Sequence, residues 1–120
     1  MDRRKELGDA GEAVAAQYLS SLGMEILDRN WRCRGVGELD LVARDGDWLV
    51  VCEVKTRSGT AFGDPLESVT AAKHTRLRRL AAAWLGEHDV RPAGVRIDLI
   101  GVLHRTGQKP VLRHVRAVGQ

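Results

Sequence analysis

Asp40 stands twelve residues before the triplet Glu53-Val54-Lys55, and the stretch between them reads as one β-hairpin. Two apolar runs flank Arg44-Asp45-Gly46-Asp47, and Asp-Gly suits a two-residue turn whose central positions both take positive φ. That turn would set Ala43 opposite Trp48, Leu41 opposite Val50 and Glu38 opposite Glu53. Asp40 would then lie diagonally across from Glu53, within reach of a shared ion. Glu53 and Lys55 point the same way because side chains alternate along a strand. Trp48 to Cys52 is continuously apolar, which marks a strand covered on both faces, and the charges arrive where that strand ends. Two carboxylates held close together repel, and a hard divalent cation, Mg²⁺ or Mn²⁺, relieves that repulsion. With a lysine beside it the group suits phosphoryl chemistry. The ion would polarise a phosphate and activate water, and Lys55 would orient that water or steady the growing charge. The plainer alternative is a solvated strand face.

The order Asp40, twelve residues, Glu53-Val54-Lys55 resembles the acidic core of the PD-(D/E)xK nuclease superfamily. The wider chain is similar to the small bacterial YraN-like proteins, an uncharacterised family described as related to Holliday junction resolvases. The pieces that carry this resemblance are Gly8-Asp9-Ala10-Gly11-Glu12 with Tyr18-Leu19, Arg29-Asn30-Trp31-Arg32, Gly37-Glu38-Leu39-Asp40-Leu41, Glu53-Val54-Lys55-Thr56-Arg57, Phe62-Gly63-Asp64-Pro65 and Lys73. Leu39-Asp40 stands where the superfamily name has Pro-Asp. The resemblance implies an α/β, restriction-endonuclease-like core with a mixed central β-sheet flanked by helices. It also implies a metal-dependent nuclease site at Glu12, Asp40, Glu53 and Lys55, with Glu12, Asp40 and Glu53 toward the metal. Branched DNA is the substrate class that follows. A resolvase cuts two strands symmetrically, so a homodimer would be needed.

Around these residues the chain alternates helix and strand. Residues 3–22 show a helical stripe of Leu7, Ala10, Val14 and Tyr18 with Gly23 as its stop, and Glu12 lies off that stripe. Residues 24–33 read as a strand, and 56–63 as a glycine-containing loop beside the site. Asp64-Pro65-Leu66-Glu67 carries the signature of a helix start, followed by a stripe of Val69, Ala72, Leu77, Leu80 and Trp84. Lys73 falls within that stripe, where its stem would follow the core and its ammonium would reach the acids. Residues 94–103 and 110–118 read as two strands joined through Thr106-Gly107. Asp98 is expected to pair with an arginine on the neighbouring strand.

A chain of 120 residues, 43% hydrophobic and 29% charged, is the size and composition of one globular domain, residues 1–120. No run is apolar enough to span a bilayer and the first residues lack a signal segment, so no membrane is expected and the cytoplasm is the expected address. Cys33 and Cys52 lack Cys-x-x-Cys spacing and read as reduced thiols. Residues 1–50 carry seven basic and ten acidic side chains, a net −3, against twelve and six, a net +6, in residues 51–120. An acidic site beside a basic half suits a nucleic acid partner, DNA by the resemblance, contacted by Arg57, Lys73, Arg76, Arg113 and Arg116. No phosphate-cradling Gly-x-x-x-x-Gly-Lys motif or nucleophile elbow is present, which removes ATP-driven and acyl-transfer chemistry. Two other classes stay open: a nucleic-acid-binding module of the same fold that cleaves nothing, and a protein adaptor using the basic C-terminal hairpin.

Overall fold

The computed structural model describes residues 3–58 and 69–119. Helix α1 (Arg3–Ser21) leads into strands β1 (Glu25–Cys33), β2 (Gly37–Asp45) and β3 (Trp48–Arg57). Helix α2 (Ala71–Glu87) then crosses to β4 (Gly94–Leu103), and β5 (Val111–Val115) ends the sheet. The strands lie side by side in chain order. β3 and β4 are parallel and the other neighbours antiparallel, which makes the mixed sheet of an α/β restriction-endonuclease-like core.

Each helix covers one face. Ala15, Ala16 and Leu19 of α1 pack with Leu41, Ala43, Val50, Cys52, Ile100 and Val102. Leu77, Leu80, Ala81 and Trp84 of α2 pack with Val42, Leu49, Val51 and Ile97 on the other face. The α1 stripe is therefore rotated from the expected one. Small residues face the sheet, and Val14 and Tyr18 flank them half-buried. Gly11 shows why: a Cβ there would overlap the Thr56 side chain, so only glycine lets α1 sit this close to β3. The helix stops where expected. Gly23 takes φ +92°, its N–H donates to Ser20 at 3.0 Å and that of Met24 to Leu19 at 3.1 Å, the paired bonds of a Schellman cap.

Helix α2 begins later than its sequence suggests. Thr70 caps it by accepting from the Lys73 N–H at 3.1 Å, so Val69 precedes the helix and Ala72 is exposed. The expected start at 64–67 and most of the 56–63 loop lie outside the described residues. The described part of that loop differs from expectation, because β3 keeps pairing with β4 as far as Arg57↔Leu103. Toward its end α2 is pinned to β1, where the Trp84 indole N–H donates to Asp28 at 2.9 Å and the His88 ring stacks on Trp84.

The hairpin register also differs. Asp45 pairs with Trp48, Ala43 with Val50 and Leu41 with Cys52, so the loop is Gly46-Asp47. Gly46 has φ +58° and Asp47 has no positive φ, the pattern of a type II′ turn with glycine first. Moving the turn by one residue shifts the pairing by two, which leaves the side chains of the paired stretches, 41–45 and 48–52, on their expected faces. β5 stops at Val115, short of the expected 118. Ala117 turns to φ +53° and its N–H goes to the Asp98 carboxylate instead of a ladder partner.

Candidate active site

β2 and β3 pair with each other only as far as Leu41 and Cys52. Past that point β2 pairs outward with β1 down to Gly37, and β3 pairs outward with β4 up to Arg57. A fork opens between the two middle strands. Asp40 and Glu53 are the first residues inside it, directly opposite one another. The hairpin reading had placed Glu38 in that position and Asp40 on the diagonal. The Val54 N–H, left without a strand partner, donates to Asp40 Oδ2 at 2.8 Å.

The fork joins the two faces of the sheet. Val50 and Cys52 belong to the α1 side and Leu49 and Val51 to the α2 side, so alternation sends Glu53 and Lys55 toward α2. Lys73 of α2 meets them there, with its Nζ 2.8 Å from Glu53 Oε1 and both side chains mostly buried. Among the described residues the Lys55 ammonium has no hydrogen-bond or ion-pair partner, while its backbone pairs in the ladder with β4. From the other face α1 delivers Glu12, held close by the contact of Gly11 with Thr56. In β2 the alternation breaks across Asp40: Leu41 packs on the α1 side, while Leu39 packs on the α2 side.

Uncompensated negative charge dominates the electrostatics. Burial and the facing Glu53 push the Asp40 carboxyl up to about 7, with Glu12 and Glu38 adding to the rise and the Val54 N–H opposing it. Burial likewise raises Glu12, helped by Asp9 and Glu38 and opposed by a hydrogen bond from Asn30 and by the Arg29 charge. The second Glu12 oxygen, Oε2, is buried with no hydrogen-bond partner. Burial and the nearby Asp98, Asp40 and Glu53 hold the Cys52 thiol protonated, and both cysteines are free.

As the side chains stand, no three His, Cys, Asp or Glu groups among the described residues are gathered closely enough to hold an ion. Among the described residues Lys73 supplies the only salt bridge to Glu53. The donor chemistry nevertheless fits a hard divalent cation: three carboxylates lie around the fork, one carries an orphaned buried oxygen, and another is driven toward its neutral form by burial and by the facing Glu53.

The residues expected to touch nucleic acid are dispersed. Arg57 is exposed at the end of β3, and it shares a cavity of about 410 Å³ with Glu12, Lys55 and Thr56. Arg76 is exposed on α2 beside Gly37. Arg113 is exposed on β5, opposite Gly101, which in turn is opposite Lys55, so two strand spacings, about 10 Å, separate it from the site. Arg116 is exposed past the end of β5. Glu38, which the expected hairpin register sets opposite Glu53, pairs with Arg32 at 3.3 Å. Asn30 had no assigned role in the sequence, yet it takes φ +51° on the edge strand and bonds Glu12. The available signal was its residue type, since asparagine is among the few non-glycine residues that tolerate this conformation.

The family model for UPF0102, described as an uncharacterised protein family, matches residues 11–102. A UPF0102 protein of Acidothermus cellulolyticus is 54% identical over 94% of this chain and 92% of its own length. One from Streptomyces coelicolor is 54% identical over 98% and 92%, and one from Beutenbergia cavernae 52% identical over 99% and 100%. The described residues contain no helix long and apolar enough to cross a membrane. The chain belongs to the UPF0102 family, the YraN-like group that its motifs resemble.

Proposed function

We propose that the protein is a metal-dependent endonuclease that hydrolyses DNA phosphodiester bonds, with branched junctions as the preferred substrate. The observation that carries this reading is the fork, which sets Asp40 against Glu53 with Lys55 two residues on and Glu12 entering from the opposite face. Asp40, Glu53 and Glu12 would hold Mg²⁺ or Mn²⁺. Such an ion, when bound, supplies polarisation of the scissile phosphate and a more acidic water. Lys55, unpaired among the described residues, orients the attacking water and steadies charge on the phosphate. Lys73 neutralises Glu53 in the ion's absence and turns to a phosphate oxygen when the ion takes its place. The homodimer required for symmetrical cleavage of a junction belongs to the same proposal.

The test is a panel of labelled junction, flap, single-stranded and linear duplex DNA incubated with protein in Mg²⁺ or Mn²⁺. Products that vanish with chelator and with Glu53→Ala support the reading. Normal rates in Lys73→Met would remove Lys73 from the machinery. One observation favours a second reading: the Lys73–Glu53 ion pair already compensates one acid without any metal. A non-catalytic nucleic-acid-binding module would then bind DNA with steep salt dependence and yield no products in Mn²⁺.

A further inference from the structure

The expected phosphate contacts on β5 leave unexplained a cleft on the other edge of the sheet. About 730 Å³ in volume, it lies between the first turns of α1 and the outer strand β1, where Lys5, Arg29 and Arg32 line it with Asn30 and with an equal number of acids, the exposed Asp9 and the deeper Glu12 and Glu38. Those three cations and Asn30 are exposed, while the two glutamates are half-buried. Among the described residues neither Lys5 nor the Arg29 guanidinium has an ion-pair or hydrogen-bond partner, and Arg32 makes one exposed contact, to Glu38. An exposed pair of this kind contributes little and exchanges readily for a stronger anion. The cleft also contains a strained residue. Asn30 takes φ +51° within the edge strand and places its amide on Glu12, and such strain on a surface strand is kept where the local geometry is used.

We propose that this cleft holds the phosphodiester backbone of the DNA strand as it approaches Asp40 and Glu53, with Lys5, Arg29 and Arg32 on the phosphates. Glu12 and Glu38 of the cleft lead on to Asp40, whose carboxyl their charges help to raise. A bound strand would therefore run from the β1 edge into the fork, with its bases free and its backbone read without regard to sequence. The direction of the path rests on the nuclease reading; the binding itself does not.

The experiment is fluorescence anisotropy of labelled single-stranded, duplex and junction oligonucleotides, in chelator so that nothing is cut. It compares the wild-type protein, Arg29→Ala/Arg32→Ala and Arg113→Ala/Arg116→Ala, with urea midpoints confirming that each is folded. The expected result is at least a tenfold loss of affinity in the Arg29/Arg32 variant. Its salt slope should be shallower by about 2, as the loss of two phosphate contacts requires, and the loss in the Arg113/Arg116 variant should be smaller. A change below twofold at Arg29/Arg32, a larger loss at Arg113/Arg116, or no binding by the wild-type protein would overturn the proposal. Binding that depends on Arg29 and Arg32 without cleavage in Mn²⁺ would leave it standing and remove the nuclease reading.

Discussion

Asp98 on β4 and Asp40 on β2 are both carboxylates set into the sheet, and the fold treats them in opposite ways. Asp98 is fully buried and accepts four hydrogen bonds: Arg96 Nε at 2.9 Å and Nη2 at 3.2 Å, His114 Nε2 at 2.8 Å and the Ala117 N–H at 3.0 Å. Burial alone would raise its carboxyl, but His114, Arg96 and the Ala117 N–H outweigh it and hold Asp98 below the usual range. The network continues from His114 to the Tyr18 hydroxyl at 3.0 Å, so one acid ties β4, β5, the C-terminal turn and α1 together. Asp40 has one N–H and three acids for company, and its carboxyl is pushed up to about 7. A compensated buried charge is structure. One left uncompensated destabilises the fold and is kept where a ligand completes it.

The sharpest way to break the contrast is Asp98→Ala, which removes the buried partner of Arg96 and His114 and leaves them, among the described residues, only Asp45 and the Tyr18 hydroxyl. It should cost about 3–5 kcal/mol in urea unfolding, whereas the same experiment on a surface acid would change little. Because the native carboxyl is lowered, this contribution is present above the unfolded value and is lost as pH falls through the native one.

Gly11→Ala comes next. Forcing a methyl into Thr56 should destabilise the protein by about 1–3 kcal/mol and lift Glu12 away from the fork. Reduced cleavage with a lower urea midpoint is the expected pair of results.

Asp40→Asn tests the other side of the comparison with the opposite sign. The native carboxyl is raised from 3.8 to about 7, so the folded state binds more protons, and stability falls as pH rises between those values. The full difference corresponds to about 4 kcal/mol, which solvent screening and relaxation reduce to about 1–2 kcal/mol. The variant keeps an acceptor for Val54, so at pH 8 without metal it should be more stable than wild type by that margin. At pH 4 the two should be nearly equal, and chemical unfolding at both pH values measures the difference.

The smallest stability effect belongs to Asn30→Gly, which keeps the positive φ and removes only the amide. The unfolding free energy from urea titration should change by about a few tenths of a kcal/mol, while the Glu12 carboxyl, followed by NMR titration, should move further up.

Local signals in the sequence sufficed where the cause of a structural feature is itself local. β4 runs from Gly94 to Leu103 as its apolar pattern indicates, α1 stops at the glycine that permits its cap, and Arg105 and Gln108 close the turn through Thr106 and Gly107. The misses trace to contacts between distant residues. Both Asp45-Gly46 and Gly46-Asp47 can make a two-residue turn, and only packing against the rest of the sheet selects the second. β5 ends at Val115 because Asp98, far away in sequence, captures the Ala117 N–H. Asp98 itself pairs with Arg96 of its own strand, not with an arginine of the next one, and the neighbouring strand contributes His114 instead. For the site, alternation sufficed to put Glu53 and Lys55 on one face of β3, but not to place Asp40, across which the alternation of β2 breaks. The fork, the strained Asn30 and the orphaned Glu12 oxygen are products of three-dimensional assembly.

The most direct test of the central claim is the unfolding midpoint of wild type and Asp40→Asn at pH 8, titrated with Mn²⁺. If the uncompensated acids await a cation, Mn²⁺ at about a hundred times its dissociation constant should stabilise wild type by about 2.7 kcal/mol. It should leave Asp40→Asn nearly unmoved, reversing their order of stability. Equal responses in the two proteins, or none in either, would contradict the account.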